Sequence, residues 1–138
     1  MKSRCERQVN ASVYYLDRRI ADGDGARPAL HSDSESWTYG ELLDRVKQCA
    51  RKLRSVGVKR GDRVILTCPD SPQAVAFLLA AMRVGAAPAP VPTILTDDEL
   101  SFICRDCTPT AVVVDEARVE RVQDLIRQLP AVPEIILP

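Results

Sequence analysis

Between Gly61 and Glu99 the chain reads GDRVILTCPDSPQAVAFLLAAMRVGAAPAPVPTILTDDE, and the order of segments here restricts the fold more than any other stretch. Arg63–Thr67 is an aliphatic run of strand length, with Val64–Leu66 as its apolar centre. Ser71 and Pro72 then suit a helix cap and first turn; Val75, Phe77, Leu78, Leu79 and Met82 recur behind them, and Gly85 follows. Ala86–Val91 is a second apolar run. Pro88, Pro90 and Pro92 predict that it is a short strand or lies at a sheet edge, since proline cannot donate to a ladder. Strand, helix and strand in this succession predict parallel pairing.

The alternation continues downstream. Thr96 and Glu99 have the spacing of a capping box ahead of Leu100, Ile103 and Cys104. Ala111–Val114 is a β-branched strand, Val119, Val122, Leu125, Ile126 and Leu129 mark a helix, and Glu134–Leu137 reads as a further strand. Upstream, Thr38 and Glu41 form a second capping box. Leu42, Val46, Cys49, Ala50 and Leu53 then share one helix face, and Gly57 suits a left-handed stop. Ala29–Ser32 and Ser36–Thr38 read as a hairpin around the SDSE turn, after the turn-rich connector Ala21–Pro28. Asn10 is a cap for a first helix with Val13, Leu16 and Ile20 on one side. The expected fold class is therefore α/β: a mostly parallel sheet flanked by helices, with a small hairpin near the N-terminus. A crevice is expected beyond the strand ends, around Thr67–Ser71, Pro92–Thr96 and Asp115–Glu116.

Composition fits one globular domain over residues 1–138, with residues 1–9 as a disordered tail: 46% of residues are hydrophobic and 28% charged. Nineteen basic and nineteen acidic residues balance, so no nucleic-acid partner is expected. The basic cluster of Arg51, Lys52, Arg54, Lys59, Arg60 and Arg63 reads as a solvated helix face and loop. The longest apolar stretch, Ala74–Met82, is too short for membrane insertion, and MKSRCERQVN lacks a signal-peptide core; a cytoplasmic location is expected. Five cysteines, an odd number, argue against a disulfide framework.

Chemistry-bearing patterns are few. Neither a GxGxxG fingerprint nor a GxxxxGK[ST] loop is present. Cys104 and Cys107 form a CxxC pair without a second pair for zinc, and at the end of a predicted helix at least one of them reads as a packing residue, with redox or metal chemistry as the alternative. His31 is the single histidine, with no marked serine or cysteine partner. Asp97, Asp98 and Glu99 suit a helix N-terminus without a metal. Asp70 and Asp115 read as turn and capping residues, Trp37 and Tyr39 as packing. No catalytic, cofactor-binding or metal-binding residue is assigned.

Several blocks nonetheless resemble the N-terminal portion of the adenylate-forming (AMP-binding) acyl/aryl-CoA synthetase superfamily. Trp37-Thr38-Tyr39-Gly40-Glu41-Leu42 resembles its xTYxEL helix opening, and Leu53 to Val64 resembles LRxLGVxxGDRV. Pro69-Asp70-Ser71, the run from Phe77 to Ala86, and Thr93-Ile94-Leu95-Thr96 follow in the family's order. Asn10 to Arg18, with Tyr14, Tyr15, Leu16 and Asp17, is similar to benzoate-CoA ligases. Pro92 departs from the aryl pattern, which carries Asn before Thr.

The resemblance implies a partial adenylate-forming-enzyme N-terminal domain. It also implies, for the full-length family, activation of a carboxylic acid with ATP and Mg2+ to an acyl-adenylate, then thioester formation with CoA. The family's phosphate loop, acyl pocket, ribose-binding Asp and C-terminal Lys all fall beyond the counterpart of Pro138. The chain alone is thus expected to be inactive and to need no cofactor. The missing remainder of a synthetase, or a complementary chain in a split enzyme, is its expected partner. Self-association is expected through the apolar segment Ile135-Ile136-Leu137. The alternative is a non-enzymatic interaction module.

Overall fold

In the computed structural model, which describes residues 9–138, the expected α/β architecture is present. The segment 1–8, most of the expected tail, lies outside the described residues. A π-helical turn (Val13–Asp17) runs into α1 (Arg18–Ala21), followed by β1 (Pro28–His31), β2 (Ser36–Thr38) and α2 (Tyr39–Ser55). Then come β3 (Arg63–Thr67), α3 (Pro72–Val84), β4 (Ala87–Pro90), α4 (Asp97–Cys107) and β5 (Ala111–Val114). A 3-10 turn (Glu116–Arg118), α5 (Val119–Ile126) and β6 (Glu134–Ile136) complete the order. β1 and β2 form the antiparallel hairpin; the other four strands are parallel in the order β4-β3-β5-β6.

The two central strands carry unbroken apolar runs, 64–66 in β3 and 111–114 in β5, because both sheet faces are covered. Val64 and Leu66 of β3, with Ala111 and Val113 of β5, belong to a first core. There they meet Leu16 of the N-terminal turn, Val46 and Leu53 of α2, and Phe77 of α3 on one side of the sheet. Ile65, Val112 and Val114 point the other way, into a second core with Leu100 and Cys104 of α4 and Val122, Leu125 and Ile126 of α5. Alternation along each strand thus divides one sheet between two cores. Helices α2 and α3 cover one face, α4 and α5 the other.

The local signals act as their spacing predicts. Thr38 Oγ1 accepts from the Glu41 amide at 3.3 Å while Glu41 accepts from the Thr38 amide at 2.8 Å. Thr96 and Glu99 repeat both bonds at the same distances. Ser71 caps α3 through the Ala74 amide, and Gly85 ends it at φ 88°. Thr38→Ala or Thr96→Ala is expected to cost about 1 kcal/mol, read as a lower urea midpoint at unchanged slope.

Three details differ from the sequence reading. Val13 is 44% exposed and does not share the buried side with Leu16, because the wider π turn changes the angular spacing. In α3 the fully buried residues beside Phe77 are Ala76, Ala80 and Ala81, small enough to let α2 pack closely. Leu129 is buried but lies beyond the end of α5. β4 is short and at a sheet edge, as its prolines predict.

The N-terminal segment is fastened to the end of α3. Asn10 Nδ2 donates to the Met82 carbonyl at 2.7 Å, and Arg83 grips both Asp17 oxygens at 2.7 and 2.8 Å. The Arg83 hydrogen bonds hold the Asp17 carboxyl below its usual range, against the opposing effect of burial. A lowered folded pKa gives stability that is present above the unfolded value and is lost as pH falls through the folded one. Asp17→Asn is therefore expected to destabilise at neutral pH and to flatten the acid limb of a stability-pH profile.

Candidate functional site

Part of the expected crevice is present, at the ends of β3 and β4, while Asp115 and Glu116 lie outside its lining. A cleft of about 610 Å³ lies beyond β3 and β4, lined by residues 68–71, the Ala74, Val75 and Leu78 side of α3, and residues 90–94. Most of this lining is apolar. Chain direction explains the position: β3 leads through α3 to β4 on one side, whereas β4 leads through α4 to β5 on the other. Such reversals open space beyond the carboxyl ends of strands.

Arg118, a residue the sequence reading did not single out, closes the adjoining gap between β3 and β5. Its guanidinium donates to Thr67 Oγ1 at 3.3 Å, to the Thr93 carbonyl at 3.2 Å and to Asp115 Oδ2 at 2.8 Å. It also donates to the Thr67 carbonyl. One side chain thus joins the exit of β3, the loop after β4 and the turn after β5. These hydrogen bonds hold the Asp115 carboxyl below its ordinary range. The Cys68 thiol is pushed up by burial, with Arg118 opposing that effect.

The other sequence candidates separate. Asp70 and Ser71 line the cleft and also border a hollow of about 260 Å³ beside His31 and Ser32. Ser71 Oγ is engaged as the cap of α3, and no reacting Ser-His pair is formed by that bond. Cys104 is buried in the second core, and burial pushes its thiol up to about 11. Cys107 ends α4, and its carbonyl accepts from Arg63 Nε at 2.6 Å. Asp97 pairs with Arg121 at 2.6 Å, while Trp37 and Tyr39 pack against the first core.

Among the described residues no group of three or more His, Cys, Asp or Glu is placed to hold a metal ion. The cationic group at the crevice, Arg118, is already engaged by Asp115 and backbone carbonyls.

Residues 17–137 match the family described as AMP-binding enzyme. The chain belongs to that family. It is 33% identical over 119 residues to an acetyl-coenzyme A synthetase of Streptomyces avermitilis, covering 83% of this chain and 18% of that protein. It is 28% identical over 130 residues to a 4-hydroxybenzoate–CoA/benzoate–CoA ligase of Rhodopseudomonas palustris, covering 94% and 24%. The N-terminal domain of FACL13 from Mycobacterium tuberculosis superposes with a TM-score of 0.78 at 26% identity, covering 91% of this chain and 33% of that one. This AMP-binding family chain therefore corresponds to N-terminal-domain sequence of acyl/aryl-CoA ligases and spans about a quarter or less of those curated relatives. Among the described residues, no helix is long and apolar enough to cross a membrane.

Proposed function

We propose that this chain is the N-terminal part of an ATP-dependent acyl/aryl-CoA ligase and is inactive alone. The family match over residues 17–137 carries the reading. In the whole ligase, ATP with Mg2+ would activate a carboxylic acid and CoA would take the acyl group as a thioester. This segment supplies the packed sheet and the cleft wall held by Arg118. Its partner is the remainder of the ligase or a complementary chain, in the cytoplasm. Residues 1–138 are one incomplete subdomain of that unit. Similarity to a benzoate–CoA ligase across 94% of the chain favours an aromatic acid.

Acid-dependent ATP–pyrophosphate exchange tests this directly. The ligase carrying this segment is expected to exchange pyrophosphate with benzoate or a hydroxybenzoate, and the chain alone to show none. Exchange by the isolated chain would overturn its inactivity. A ligase-length protein that activates none of a panel of aryl and short acyl acids would sink the activity itself.

A further inference from the structure

Two surfaces of opposite charge lie on opposite sides of the sheet. On one flank of α2, Lys47, Arg51 and Arg54 are exposed at spacings that place their side chains alongside one another. Across the sheet, Asp97 of α4 is paired with Arg121 and Glu99 is turned back onto the Thr96 cap, which leaves Asp98 and Asp106 as exposed carboxylates beside Arg105. Phe102 stands between these carboxylates and is 68% exposed; Ile94, on the preceding loop, is 90% exposed. Leu95, Asp98, Glu99, Phe102 and Ile103 border a shallow, open hollow of about 430 Å³.

We propose that this α4 hollow receives the α2 flank of a second copy of the chain. An aromatic ring bordered by carboxylates suits a guanidinium, which can lie on the ring while its N–H groups meet Asp98 or Asp106. The basic flank of α2 offers Arg51 and Arg54 for that place. The two surfaces cannot meet within one molecule, because the sheet separates them. Each contact joins unlike surfaces that face opposite ways, so the pairing is head-to-tail rather than two-fold. The proposal is independent of the ligase reading, because its test measures association and not activity.

Sedimentation velocity on the chain provides that test. The average mass is expected to rise with protein concentration and to fall again on raising salt from about 0.1 M to about 1 M, where the Debye length shrinks from about 10 Å to about 3 Å. K47E/R51E/R54E and D98K/D106K are each expected to abolish self-association while keeping the helical circular-dichroism spectrum. An equimolar mixture of the two variants should associate again, since each then offers what the other lacks. A monomer throughout, association that survives both charge reversals, or a mixture that stays monomeric would each overturn the proposal.

Discussion

Phe77→Ala is expected to lower the unfolding free energy by about 3–5 kcal/mol, a large share of the roughly 5–15 kcal/mol typical of a domain. Phe77 is 1% exposed and sits in the core shared by α2, α3 and the sheet. Its neighbours there include Ala76, Ala80 and Ala81, which have little side chain to move into a vacated volume. The cavity is therefore expected to persist. Urea denaturation should show a lower midpoint at unchanged slope, and Phe77→Leu should cost clearly less because it removes less volume. A loss below about 1 kcal/mol for Phe77→Ala would mean that the site collapses freely and that this core is not closely packed.

Arg118→Met is expected to cost about 2–4 kcal/mol, because it keeps much of the side-chain volume and deletes only the hydrogen-bonding group. Thr67, which is 1% exposed, loses its partner, as do the Thr93 carbonyl and the Asp115 carboxylate. Lysine should recover only part of the loss, since an ammonium cannot span all three directions. The pH signature adds a second reading. Asp115 contributes stability above its unfolded pKa that is lost on acidification through its lowered folded value. Without Arg118 that component should disappear, so the difference between variant and parent should narrow as pH falls. Amide exchange in the segment 92–96 should quicken as well. Unchanged exchange there, with an unchanged acid limb, would show that Arg118 does not hold the cleft wall.

The sequence-readable features are those with short-range causes. Thr38 with Glu41, Thr96 with Glu99 and Ser71 with Ala74 each close within one turn, so their spacing suffices to locate three helix starts. Parallel pairing and the place of the crevice also follow, because alternating strands and helices allow few topologies. Arg118 was not legible. Its partners Thr67 and Thr93 are 51 and 25 residues away, and nothing local distinguishes it from other arginines of the segment. The π turn was hidden for a different reason: VYYLD carries no punctuation that separates a wide helical turn from an ordinary one. The alanines of α3 were passed over because a periodicity reading favours large side chains, whereas close helix packing favours small ones.

The prolines of β4 give the sheet a direction of growth. Ala87 and Val91 donate inward, to the Asp62 and Leu66 carbonyls at 2.8 and 2.9 Å. Along a strand the intervening positions face outward, and here those are Pro88 and Pro90, which have no N–H to offer. A strand arriving from another molecule would find acceptors but no donors on this side. β6, at the opposite border, carries no proline between Glu134 and Ile136. The sheet therefore has a sealed hem and an open one, and lengthening by strand addition can proceed from β6 alone.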